Sequence, residues 1–262
     1  MEAWKDAFFR RLRGPDYSIP DDPRYTRFRT MDEKLLLSTP ATWVISVFNV
    51  GWFLYVSSQG DTRNPETLIR FGATERSRIW KDGESWRLLT SCFLHIGWLH
   101  LIWNTYMMFS WCSHVEQGLG TVPFVLAYLV TGIGAAATSV LGHRAVSAGA
   151  SGSGFGMVGV VLMMEYRHLG TWSLFFSDPY VFSLLRTTII WILLGIFVIR
   201  VDNYAHVGGL MFGFLAGYAL SIEDDDPGRI PFILGVLAVW FLVVFASLHP
   251  RFARRDGSDG AS

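Results

Sequence analysis

The chain has 262 residues, of which 51% are hydrophobic, 15% aromatic and only 17% charged, and its mean hydropathy is +0.31. Lys plus Arg and Asp plus Glu number 22 each, a balance that argues against nucleic acid or a strongly acidic molecule as partner. So apolar a composition weighs against a soluble enzyme and predicts an all-α, polytopic membrane protein.

Residues 1–38 are polar and juxtamembrane. "MEAWKDAFFRRLRGPDY" has no apolar core followed by a small-residue cleavage site, so no cleavable signal peptide is read there; the alternatives are a short amphipathic surface helix and disorder. The first span is predicted at Ala41–Ser57. A long loop over 58–87 follows, with Trp80 and Trp86 near its end, and predicts amphipathic structure at the membrane interface. Further spans are predicted at Leu94–Cys112, Thr121–Leu141, Ala150–Arg167, Ser183–Ile199, Asn203–Ser221 and Ile230–Leu248. Glu223 to Asp226 read as a solvated turn, His143 as part of a loop, and residues 251–262 as a polar tail. Cys92 and Cys112, if carried by one helix, lie about 30 Å apart and cannot bridge.

Lys and Arg divide evenly between the two sides of this topology. The basic flank before the first span then favours a cytoplasmic N-terminus. The second, fourth and sixth spans run in the same direction, so their N-terminal ends share one membrane face.

Polar residues gather at that face. His100 and Asn104, four apart in "HLIWN", share one side of the second span. The fourth opens with Gly149-Ala150-Ser151-Gly152, and His206 lies just inside the sixth. Ionisable and amide groups are costly in a bilayer, and structural hydrogen bonding or helix–helix adhesion is the alternative use for each taken singly. Gly152 and Gly156 on the fourth span, and Gly209, Gly213 and Gly217 on the sixth, form small-residue ladders that let two backbones meet. Close approach brings the Ser151 hydroxyl within reach of His206. Serine needs an adjacent base to act as a nucleophile, and neutral imidazole suits that task. The first N–H groups of the fourth span, with His100 and Asn104, can serve as oxyanion donors.

Other candidates carry less. Ser153 lies about 200° around the helix from Ser151, and Ser147 falls in the preceding loop. Asp202, four residues before His206, reads as an N-cap rather than a third catalytic member. His95 is offset from the His100 face and nearer the water, where a loop hydrogen bond is expected. No HExxH or clustered ligand spacing signals a metal, and no cofactor is indicated.

The glycine-flanked serine of Gly149-Ala150-Ser151-Gly152, the histidine and asparagine of "HIGWLHLIWN" and the run "AHVGGLMFG" together resemble the rhomboid intramembrane serine proteases. Trp86-Arg87 and the "EQGLG" of Glu116 to Gly120 add to the resemblance, which covers roughly residues 40–222. It implies a Ser151 nucleophile with His206 as base, an oxyanion hole including His100, Asn104 and the Ser151 amide, and an aromatic, here Phe155, stacked on the histidine. It also implies an Arg87–Glu116 ion pair anchoring a first loop that braces the protease laterally. Substrates would be membrane proteins with one span, cut where helix-breaking residues loosen the segment.

The expected fold is a six-helix rhomboid-like core over 39–222, then a linker and seventh C-terminal transmembrane helix over 223–250 and a tail over 251–262. Gly149 and Gly152 support the dyad. The expected setting is the cell (inner) membrane, in contact with lipid, with the site opening to the extracytoplasmic side. The runner-up is a non-catalytic rhomboid-like protein that binds transmembrane clients. A transporter finds little support without an internal repeat.

Overall fold

The computed structural model describes residues 39–142, 145–197, 201–221 and 229–249. The segment 1–38, His143, the acidic run 223–226 and the tail 251–262, for which the sequence carried expectations, lie outside the described residues. Regular structure among the described residues is helical. In chain order come α1 (Pro40–Gln59), the short α2 (Pro65–Arg70), α3 (Arg76–Trp80) and α4 (Arg87–Thr90), and then α5 (Gly97–Met107). A π turn at Met108–Cys112 joins α5 to α6 (Ser113–Leu119). There follow α7 (Thr121–Gly142), α8 (Ser151–Leu169), the short α9 (Trp172–Ser177), α10 (Pro179–Phe197), α11 (Asn203–Ser221) and α12 (Arg229–Ser247).

Each predicted span overlaps one of these helices within the described residues; the second runs from α5 on through the π turn, and the end of the fifth, at Ile199, lies outside the described residues. Two boundaries shift: the second begins at Gly97 rather than Leu94, because Ser91–Phe93 forms a 3-10 turn, and the fifth begins at Pro179 rather than Ser183. Among the described residues, four stretches are long and apolar enough to cross a membrane by length and composition: α1, α7, α10 and residues Ile230–Ser247 of α12. Their outward faces are apolar, with Val44, Phe197 and Leu242 each more than 60% exposed, as a lipid-facing surface requires. The chain is an integral membrane protein.

α8 is the central helix. Gly154, Met157, Val160 and Leu162 are all buried along it, and α11 lies directly against it. A Cβ on Gly209 would collide with the carbonyl oxygen of Gly152, and one on Gly213 with that of Gly156. The two backbones therefore touch with no side chain between them.

The first loop is a scaffold of short capped helices. Asn64 caps α2 by accepting from the Glu66 N–H (2.9 Å), and Glu75 caps α3 by accepting from Ser77 and Arg78. Arg76 donates to the carbonyls of Val140 (2.7 Å) and Leu141 (3.2 Å) at the C-terminal end of α7, where a cation is favoured. Thr74 and Ser147 exchange backbone hydrogen bonds, tying the loop to the segment that leads into α8. Trp80 reaches α12 through the Ser247 carbonyl (2.5 Å), and Trp240 of α12 donates to Val130 of α7 (2.8 Å).

The expected Arg87–Glu116 pair does not form. Arg87 pairs with Glu84 (2.6 Å) and donates to the carbonyls of Ile69 and Ala73. Helical rise accounts for the difference: Glu116 is reached only after about 19 residues of helix from Gly97, roughly 28 Å away along the axis. There it caps α1, accepting from the backbone of Ala41 (2.9 Å) and Thr42 (2.7 Å) and from the hydroxyls of Thr42 and Thr121. One buried side chain thus joins the start of α1, α6 and the start of α7. Glu116→Ala strands several buried donors and should lower stability by about 2–4 kcal/mol. Thermal unfolding in detergent reads this directly, and an unchanged melting temperature would contradict it.

Candidate active site

The N-terminal ends of α5, α8 and α11 converge at one end of the bundle. Ser151 is the first residue of α8 and is half-buried, while His206 lies in the first turn of α11 and is 6% exposed. The Ser151 hydroxyl lies 2.9 Å from His206 Nε2. The other ring nitrogen, Nδ1, lies 3.3 Å from Asn203 Oδ1. An amide oxygen only accepts, so in the tautomer that satisfies this contact Nδ1 carries the proton and Nε2 presents its lone pair to the serine hydroxyl. That tautomer is the one a serine nucleophile requires.

Phe155, one turn after Ser151, lies flat against the histidine, with ring centroids 4.3 Å apart and planes inclined by 13°. Asp202 sits elsewhere in the network. It accepts from the Ala205 N–H (3.0 Å), capping α11, and from the Ser139 hydroxyl on α7. Sequence reasoning passed over Asn203. The signal was available, since Asn203 precedes His206 by three residues and so shares its side of the helix.

His100 approaches from α5. The Ile96 N–H donates to its Nδ1 (3.1 Å), so the proton of the neutral ring lies on Nε2. Gly149 explains where that proton points. A Cβ on Gly149 would stand 2.9 Å from His100 Nε2 and 3.6 Å from Ser151 Oγ, and the residue holds φ +146°. The ring of His100 thus fills the space that any side chain at 149 would need, and that space also adjoins the serine hydroxyl.

Asn104 lies one turn further along α5, 4% exposed, with its Nδ2 donating to the His100 carbonyl (2.9 Å). Among the described residues its second amide hydrogen has no acceptor. Ser153 faces α7, where Gly132 makes room for its hydroxyl, on the side away from His206. His95 differs from expectation. It is 1% exposed rather than near water, and packs its ring against His100 at 5.5 Å because the 3-10 turn at Ser91–Phe93 folds the segment inward. Behind the Gly149–Gly152 backbone a small cavity is lined by Thr74, Ser91, Ser147 and Ala205. Its polar walls suit a water molecule.

Comparison with known proteins gives a consistent picture. The rhomboid domain model matches residues 82–223, which include His100, Asn104, Gly149, Ser151, Phe155, Asn203 and His206. The chain is similar to rhomboid protease GluP of Bacillus subtilis (strain 168), with 37% identity over 188 residues, 69% of this chain and 35% of the relative. It is also similar to two Arabidopsis thaliana proteins. RHOMBOID-like protein 6, mitochondrial, is 33% identical over 61% of this chain and 52% of its own length. RHOMBOID-like protein 4 is 34% identical over 75% of this chain and 54% of its own length. The chain therefore spans between about a third and about half the length of these relatives.

Proposed function

Because the chain belongs to the rhomboid family, which includes intramembrane serine proteases, we propose that it is a serine endopeptidase cutting membrane-protein substrates in or beside their transmembrane segments. The observation that carries this reading is the 2.9 Å contact between Ser151 Oγ and His206 Nε2. His206 accepts the serine proton as Oγ attacks the scissile carbonyl, and returns it to the leaving amine. The oxyanion is held by the Ser151 N–H and His100 Nε2–H, with the free hydrogen of Asn104 as a further donor. Water then attacks the acyl-serine with His206 again as base.

Phe155 and Asn203 hold the imidazole in plane and in tautomer, while Gly149 and Gly152 leave room for His100 and α11. Asn203→Leu removes the acceptor on Nδ1 and should lower kcat about tenfold with little change in KM. Steady-state kinetics separates the two parameters, and an unchanged kcat would rule out this role for Asn203.

We extend the reading to the setting. The catalytic core runs over 39–222, and residues 223–250 add a linker and a further span. The protein sits in the cell (inner) membrane with its N-terminus cytoplasmic and the site open to the extracytoplasmic side. The substrates are single-span proteins whose helix-breaking residues free a peptide bond for attack. Cleavage of such a substrate by the wild type and its loss in Ser151→Ala test the proposal.

A further inference from the structure

The Phe155 ring has little on its own helix to hold it: of the four positions one turn away, only Ser151, four residues before, and Val158, three after, carry side chains. Its helical neighbours at three residues before and four after are Gly152 and Gly159, and the residues on either side are Gly154 and Gly156. These are positions from which a helix ordinarily supports a side chain. The glycines are bare for other reasons: Gly152, Gly156 and Gly159 face neighbouring helices at close range, and Gly154 is covered by the Met107 thioether. A ring stacked on His206 therefore has only the small side chains of Ser151 and Val158 beside it on its own helix.

Support comes from the π turn between α5 and α6. Trp111 meets Phe155 edge to face, with ring centroids 5.9 Å apart and planes inclined by 88°, and it also packs against a buried cluster that includes Val158 and Leu162. π turns inside α-helices are uncommon and gather at functional sites. Here the Ser113 hydroxyl donates to the Phe109 carbonyl (2.5 Å), giving a backbone acceptor in the turn a partner.

The geometry points to Trp111 as a positioning residue for the proposed proteolysis: it braces Phe155, which in turn holds His206 in line with Ser151. This rests on the protease reading. Trp111 meets Phe155 rather than Ser151 or His206, and acts through Phe155. With Trp111 gone, the Phe155 ring can turn away from the stacked position, and His206 samples orientations in which Nε2 no longer faces the hydroxyl.

The test is a double-mutant cycle on the full chain in liposomes, with a single-span reporter substrate and the rate of fluorophosphonate labelling at Ser151 as a second readout. Trp111→Met keeps apolar bulk but removes the ring. It should lower kcat and the labelling rate about tenfold, with KM within about twofold. Trp111→Phe should lose less. In a Phe155→Leu background, Trp111→Met should cause no further loss, because the ring it acts on is absent. Trp111→Met at wild-type rates, or losses that multiply in the double variant, would overturn the inference, since multiplied losses mean that Trp111 merely packs the bundle. If Trp111→Met does not fold, Trp111→Phe with and without Phe155→Leu carries the same cycle, read the same way. A wild type that neither cleaves nor labels would sink the protease reading and this inference together, whereas an active wild type with indifferent Trp111 variants sinks the inference alone.

Discussion

Ser151→Ala is expected to abolish cleavage of a single-span substrate, lowering kcat by about 10⁴-fold or more while leaving the melting temperature close to wild type. The substitution removes one oxygen from a half-buried position and strands no buried partner apart from His206 Nε2. His206→Ala should cost as much, and the double variant no more than either single one, because nucleophile and base act as one unit. Fluorophosphonate labelling of the wild type must vanish in Ser151→Ala if the reagent reports on this hydroxyl. Two outcomes would force a different conclusion. Cleavage that survives in Ser151→Ala would move the nucleophile elsewhere. A folded wild type that neither cleaves nor labels would favour the client-binding alternative.

Much of this architecture was legible because bilayer chemistry writes itself into sequence. Apolar runs separated by short polar segments located the helices, and glycines spaced by four located the α8–α11 contact. The meeting of Ser151 with His206 followed from that spacing, since a backbone contact between two helices fixes what stands at their ends. The first loop was less readable. Its helices span four to six residues, too short for periodicity to show, and their stability comes from caps and from distant carbonyls such as that of Val140. Glu116 was misassigned for a related reason. Its partners Ala41 and Thr42 are backbone groups more than 70 residues away, and backbone groups leave no mark in sequence. The π turn and the placement of Trp111 were equally silent, because a single widened turn changes hydropathy nowhere.

Gly209→Ala and Gly213→Ala should be the most damaging glycine-to-alanine exchanges among the described residues. On an exposed helix, exchanging glycine for alanine gains about 0.5–1 kcal/mol through backbone entropy and helix propensity. Here the added carbon meets the carbonyl oxygen of Gly152 or of Gly156, with the Gly156 nitrogen 3.3 Å away at the first site and its Cα 2.9 Å away at the second. No rotamer change can relieve a clash with backbone, so α8 and α11 must separate. Overpacking of this kind costs about 1–3 kcal/mol, and the lost interhelical contacts add to it. The effect reaches the chemistry as well. Gly209 follows His206 by three residues and lies on the same side of α11, so pushing that side outward by about 1 Å stretches the 2.9 Å contact on which proton transfer depends. Cleavage should fall by about 10²-fold even in the fraction that remains folded. Gly235→Ala on α12 is the matched control, since nothing lies within 4 Å of its added Cβ; it should melt at or above the wild-type temperature and cleave normally. Equal melting temperatures for Gly213→Ala and Gly235→Ala would mean that the α8–α11 contact is loose enough to admit a side chain, and the glycine ladder would then not be what brings serine and histidine together.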